Sequence, residues 1–548
     1  MAKQLGLDMK HQLEQMSTSQ LEAIIESSLK KKKQLLAKKD YYTYLQMVAK
    51  VPGGVFKHGK HIELLCKKLE AVERGEITRL MVSMPPRHAK STTITNYFPS
   101  WFMGRNPTKE VIIGGYGADI AYDFSKNNRE ALREHGKDIF GVKLSDVRQG
   151  IARWEIAETN GAMTAAGVGG PIMGRGASLA VIDDPIKNAE ESNSETRKNI
   201  IYEWYRSDLR TRMTPDGVII IVMTRWCEDD LIGRLLEDAK KRDGEQWEYI
   251  CMPAIIEEEE EKERDIFQRE MGEVLWPEHF TNISLQAIKT TTGTYGWKSK
   301  YQQTPVPFKE IIFKTDWLKY YKEEDVIFDE KTKRYYFRGE PIIKRLAAID
   351  PATGESIIGD KRSDYTACFV ADVTISKNIL LRMRSREKIL IPEQYKKIVG
   401  VNQVFSPDLF LIEEIAFQKA IRQTLTAIGI FIPFRQITRT RKSKQSRIMD
   451  MAPFIEWGKL WILEEMEDLV TEYKMFPTGK HDDLLDCLEM LISYVRFEIP
   501  MFGNPKTGYY GLDKIEQVDP EDIPDKIINF IFGGNNEYTE DEKMYVFN

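Results

Sequence analysis

Short apolar runs alternate with longer amphipathic stretches along most of the chain. Four runs in the first half, at 77–84, 110–116, 178–183 and 217–224, are predominantly apolar. Such continuous runs fit strands buried on both faces, and each is followed by a polar or amphipathic helical stretch. The alternation over 45–250 predicts an α/β domain with a mainly parallel sheet. A second α/β pattern fills 340–498, with strands predicted at 345–350, 365–372 and 378–384, a helix near 392–404, a strand at 408–413 and a last helix over 482–497. On that last helix Leu484, Leu488, Leu491 and Val495 recur at helical spacing, which makes one face core.

Five consecutive glutamates at 257–261 repel one another and mark a domain boundary. The predicted division is an N-terminal helical segment (1–44), a first α/β domain (45–256), connecting structure (257–335), a second α/β domain (336–498) and a C-terminal tail (499–548). The basic run Lys30–Lys33 is either a solvated helix face or a basic arm.

Composition narrows the class. With 548 residues, 42% hydrophobic and 30% charged, the chain is globular rather than wholly disordered or collagen-like. No run of about 18 uncharged apolar residues is present, so no membrane-spanning helix is expected. Residues 1–15 lack the apolar stretch of a secretory signal. The five scattered cysteines form neither a zinc pair nor a disulfide framework, which points to a reducing cytoplasm. A net charge of −5 excludes a uniformly basic nucleic-acid coat but leaves room for a local basic patch.

The first candidate chemistry lies in Met84-Pro-Pro-Arg87-His88-Ala89-Lys90-Ser91-Thr92, between a predicted strand and a helix, the context of a phosphate-binding loop. Backbone amides of the loop would hold the anion, Lys90 would reach the β- and γ-phosphates and Ser91 would ligate Mg²⁺. Met84 and Ala89 stand where the ordinary pattern has glycines, so the loop is expected to be less able to adopt a positive φ. Asp183-Asp184 end the strand at 178–183, expected beside the loop strand. Asp183 is the candidate metal carboxylate, and Asp184 the candidate water-activating acid. Thr224 and Arg225 leave the strand at 217–224 together and are candidates for sensing the γ-phosphate.

The second candidate chemistry is a set of carboxylates. Asp350 ends one predicted strand, Glu413 and Glu414 end another, and Asp482 and Asp483 open the last helix. Converging from those three places, they suit two Mg²⁺ or Mn²⁺ ions in phosphodiester hydrolysis. Between them, residues 435–447 hold six basic residues and no acid. Arg439, Arg441, Lys442, Lys444 and Arg447 of this stretch suit contact with a DNA backbone.

In this order the motifs resemble those of the large terminase subunit of tailed bacteriophages, over roughly 45–498. PPRHAKS looks like that family's deviant Walker A loop, LAVIDDP its Walker B strand and VMTRW its coupling motif. YQQTPVP (301–307) is similar to a recurrent segment near the domain junction. IDPATG, IEEIAFQKA and HDDLLDCLEM look like the three metal motifs of its nuclease. The resemblance implies an N-terminal P-loop ATPase domain of the ASCE type and a C-terminal RNase H-like nuclease. It implies an enzyme that hydrolyses ATP to translocate double-stranded DNA into a procapsid and cuts concatemers into genome units. It places Lys90, Ser91 and Asp183 at the nucleotide, and Asp350, Glu413 and Asp483 at the nuclease metals, with Asp482 sharing or replacing the last. One Mg²⁺ is implied with ATP and two Mg²⁺ or Mn²⁺ ions at the nuclease. A small terminase subunit, a portal protein and a homo-oligomeric ring are implied as partners, in the host cell cytoplasm and without a membrane. Asp184 replaces the family's usual Glu, with Glu190 and Glu191 as alternative bases; Arg87 and Arg175 are the arginine-finger candidates. The rival readings are a helicase-like repair translocase fused to a nuclease, and a nucleotide-binding scaffold with a decayed ATPase.

Overall fold

Alternate residues of the first four apolar runs enter opposite faces of one sheet. In the computed structural model the described residues are 17–50, 54, 56–172, 176–306, 313–351, 365–413, 432–437, 442–477, 479 and 481–499. The chain divides into two units, Met1–Ile312 and Phe313–Asn548. The segment 257–335 is thus shared between them, its helix Asn282–Lys300 lying in the first.

The first unit holds strands β1 (Arg79–Ser83), β2 (Glu110–Gly115), β3 (Leu144–Gln149), β4 (Arg153–Ile156), β5 (Ala162–Gly167), β6 (Ala177–Asp183), β7 (Met213–Met223) and β8 (Glu248–Cys251). They form one sheet in the order β3-β4-β5-β2-β6-β7-β1-β8. From β5 to β8 every pairing is parallel, and only β3 and β4 run antiparallel at one edge. On β7, Val218, Ile220 and Val222 enter one apolar cluster while Ile219, Ile221 and Met223 enter the other. Burial on both faces explains why the parallel strands read as unbroken apolar runs. One expectation needs correction: β6 does not lie beside β1, because β7 lies between them. The end of β7 therefore stands between the loop and the Asp183-Asp184 pair.

The second unit holds β9 (Lys319–Tyr320), β10 (Val326–Asp329), β11 (Arg334–Phe337), β12 (Glu340–Asp350), β13 (Thr366–Thr374), β14 (Ile379–Glu387), β15 (Leu409–Ile412), β16 (Phe434–Gln436) and β17 (Leu460–Ile462). Its centre runs β14-β13-β12-β15-β16. Only β13 is antiparallel to its neighbours there; β15 and β16 continue parallel to β12. Counted from β12, that is the 3-2-1-4-5 order of an RNase H-like fold. Helix Asp483–Phe497 packs its apolar face on the side of Leu346, Ala348, Phe369 and Leu411, and helix Ile391–Phe405 on the side of Ala347, Ile349 and Ile412. No helix among the described residues is long and apolar enough to cross a membrane.

Candidate nucleotide and metal sites

β1 ends at Ser83, and the chain turns through residues 84–89 into helix Lys90–Ile94. Arg87 and Ala89 sit at φ 62° and 63°. Ala89 therefore does adopt the left-handed conformation that the lack of a glycine was expected to disfavour, at a cost of about 1–2 kcal/mol. Buried contacts under the loop hold that shape. His88 is fully buried and stacks on Phe280, with ring centroids 4.5 Å apart. His88 Nδ1 lies 2.9 Å from the Pro86 carbonyl oxygen, and His61 Nε2 lies 3.1 Å from the His88 carbonyl oxygen. A carbonyl only accepts, so each of those nitrogens carries its ring's proton. Burial pulls His88 down to about 3 and His61 to about 4, so both rings are neutral. The His88 side chain thus shapes the loop from beneath, whereas Arg87 is exposed.

The buried ammonium of Lys90 stands at the centre of a polar network. It donates to Thr224 Oγ1 at 2.7 Å and pairs with Asp184 Oδ2 at 2.6 Å. Asp184, at φ 40°, also accepts the Thr224 amide on Oδ1 at 2.7 Å. Asp183 Oδ1 accepts from Ser91 Oγ at 3.1 Å, and its Oδ2 accepts from Thr95 Oγ1. Burial, and then the neighbouring Asp184 charge, push Asp183 up to about 7 against the opposing pull of Lys90. The Ser91 hydroxyl and the Asp183 carboxylate form a pair of hard oxygen donors, which suits Mg²⁺. Thr92 is half-buried one position further on. Glu190 is exposed, and Glu191 accepts the Lys187 amide and pairs with Arg197, outside this network.

The next residue turns away from the loop. Arg225 is buried, with Nε 2.8 Å from Asp230 Oδ2 and its amide donating to Gln303 Oε1 at 3.1 Å. Successive amides at the end of β7 are thereby tied to Asp184 and to the segment Tyr301–Gln303.

In the second unit, strand register assembles the carboxylates. Ile349 pairs with Ile412 on parallel strands, so Asp350 and Glu413 follow as neighbours, about 5 Å apart along the sheet. Both alternate onto the face of Leu346, Ala348 and Leu411, which helix Asp483–Phe497 covers. Cys487 of that helix donates Sγ to the carbonyl of Ala367, the residue opposite Asp350 on β13. Asp483 lies one turn earlier on the same helix face. Burial raises the Asp483 pKa and the Lys444 charge opposes it. Two amides at the helix start, Leu484 and Leu485, donate to Glu472 Oε2 at 3.0 and 3.4 Å. Among the described residues no group of three or more His, Cys, Asp or Glu side chains is gathered closely enough to hold a metal. The neighbouring pair Asp350 and Glu413 offers the hard oxygens that Mg²⁺ or Mn²⁺ takes.

Residues 81–294 match the family model described as terminase large subunit, T4-like virus type, N-terminal. That match spans the loop and the Asp183-Asp184 pair and lies wholly within the first unit, which is similar there to the N-terminal part of terminase large subunits.

Comparison with curated proteins gave no match. Among solved structures, the chain is similar to the large terminase of a thermophilic bacteriophage, at 10% identity over 81% of this chain and 100% of that one, with a TM-score of 0.44. It is also similar to the large terminase of bacteriophage HK97, at 12% identity over 83% of this chain and 99% of that one, TM-score 0.33. The magnesium-bound nuclease of the large terminase from thermophilic phage G20c is matched at 13% identity over 32% of this chain and 90% of that one, TM-score 0.23.

Of the basic residues expected at the DNA, Lys442, Lys444 and Arg447 lie within the described residues. Lys442 pairs with Asp450 at 2.5 Å and Lys444 with Asp482 at 2.7 Å. Arg447 is buried between Asp486 and Glu489, each 3.3 Å away, so it braces the last helix instead of facing a DNA backbone. Arg175, Glu414, Arg439 and Arg441 lie outside the described residues. Sequence reasoning missed Thr95, although it lies one helical turn after Ser91. It singled out the YQQTPVP segment without a role for Gln303, which meets the Arg225 amide across 78 residues, and it missed Glu472, which meets the Leu484 amide across 12 residues with no motif to announce the contact.

Proposed function

We propose that this chain is the motor and nuclease of a phage DNA-packaging machine. The observation that carries the reading is the meeting of Lys90 with both Thr224 and Asp184 at the end of β7. ATP binds with its β- and γ-phosphates at the loop, and Lys90 turns from Thr224 to the phosphates. Ser91 and Asp183 hold the Mg²⁺ that accompanies the nucleotide. The freed Thr224 passes the change along β7, whose next amide is held by Gln303. Asp184, released from Lys90, is placed to orient the attacking water.

The second unit cuts the DNA. Asp350, Glu413 and Asp483 hold the divalent ions, with Asp482 beside them. When bound, Mg²⁺ or Mn²⁺ supplies charge stabilisation at the phosphate and a water of lowered pKa. In this reading translocation of double-stranded DNA into the procapsid runs in a homo-oligomeric ring on a portal, supplied by a small terminase subunit, in the host cytoplasm.

ATP hydrolysis by the purified chain tests the motor half. Turnover that Lys90→Ala removes supports it; nucleotide binding with no turnover in the unaltered chain supports a decayed ATPase instead.

A further inference from the structure

The described basic residues of 442–447 are paired with acids, yet a carboxylate site that cuts DNA repels its substrate unless cations stand beside it. The strand register shows where such cations lie. Asp350 pairs with Ala367 on β13, and Ala367 pairs with Arg386 on β14, so Asp350 and Arg386 occupy one row on one face, two strands apart. β14 ends at Glu387, and Lys388 follows it, exposed. The Lys388 ammonium lies 4.8 Å from the centroid of the Tyr365 ring and Arg386 Cζ lies 5.2 Å from it. His481 meets the same ring edge-on at 5.1 Å, and His481 Nδ1 lies 3.9 Å from Asp483 Oδ2. Arg386 is engaged by the buried Glu472. Lys388 is near no carboxylate within 4 Å among the described residues.

Resting on the nuclease reading above, we infer that Tyr365, Lys388 and His481 form a contact site for the DNA backbone at the edge of the carboxylates. Lys388 takes a phosphate oxygen. The Tyr365 ring, held by cation–π contact, supports the lysine stem and offers an apolar face to the sugar. His481 lines the path from that phosphate to Asp483. Contact of this kind is electrostatic and independent of sequence.

The test is binding of labelled duplex DNA to the full chain by fluorescence anisotropy across a salt series, in an Asp350→Ala background that blocks cutting. Lys388→Ala is expected to weaken binding roughly three- to tenfold at moderate salt and to flatten the slope of log K against log salt by about one. Tyr365→Leu is expected to weaken binding with little change in slope, because it removes packing and no charge. Lys331→Ala, an exposed lysine on the β10–β11 hairpin, is the control and keeps the parent affinity and slope. If the unaltered chain cuts DNA and the Asp350→Ala chain binds it, but adding Lys388→Ala keeps the parent slope and affinity, the site is wrong and the nuclease reading stands. If the unaltered chain does not cut DNA and the Asp350→Ala chain does not bind it, both fall together.

Discussion

The Lys90 ammonium donates to the Thr224 hydroxyl over 2.7 Å, joining the loop after β1 to the end of a strand 134 residues later. β7 lies between the loop strand and the Asp183-Asp184 strand, so Thr224 is the residue whose hydroxyl Lys90 meets directly. Thr224→Val keeps the side-chain shape and removes that acceptor. Nucleotide affinity is expected to stay within about threefold while kcat falls about tenfold or more, the pattern of an interaction used in turnover and not in binding. Fluorescent nucleotide titration and phosphate release measure the two separately, and an unchanged kcat contradicts the role.

Thr95 is a second donor to the buried Asp183 carboxylate. Thr95→Val leaves that oxygen with one fewer partner at nearly constant volume. Removing a hydrogen bond from a buried group costs about 1–3 kcal/mol. A lowered melting temperature of the nucleotide-free protein is the expected reading, and an unshifted one means the hydroxyl is dispensable.

The paired histidines under the loop give the stability a defined acid limb. Both have folded pKa values, about 3 for His88 and about 4 for His61, below the ordinary 6.5. The unfolded chain therefore binds more protons than the folded one below pH 6.5, and their contribution, fully present above that value, is lost as pH falls toward 4 and 3. A His61→Gln, His88→Asn double variant is expected to lose less stability than the parent between pH 7 and pH 5. Denaturant unfolding at each pH measures it, and parallel curves contradict the assignment.

Much of this was legible in the residues. Parallel strands buried on both faces must be apolar at every position, so β1, β2, β6 and β7 could be read directly, as could the strand-end carboxylates. The short strands β3, β4, β10 and β11 are partly exposed and carry no such run, and they went unpredicted. Charge was the misleading signal. Lys444 and Arg447 read as an unpaired basic patch because their acids, Asp482, Asp486 and Glu489, lie about 40 residues later in sequence. The glycine rule also overreached: Ala89 adopts a positive φ because the buried His88 and His61 fix the turn.

Glu472 fixes the start of the helix that carries Asp483, through the amides of Leu484 and Leu485 and the guanidinium of Arg386. Glu472→Gln removes the buried charge and leaves Arg386 uncompensated. A loss of about 3 kcal/mol is expected, typical of breaking a buried pair from one side. Urea unfolding checks the size, and a shift under about 0.5 kcal/mol sinks the anchoring role.

The most direct test of one chain carrying two independent chemistries is a paired assay of ATP turnover and Mg²⁺- or Mn²⁺-dependent plasmid cleavage on the same preparations. The account predicts that Lys90→Ala abolishes turnover and keeps cleavage, and that Asp350→Ala abolishes cleavage and keeps turnover. Loss of both activities in either folded variant, or cleavage that survives Asp350→Ala, contradicts it.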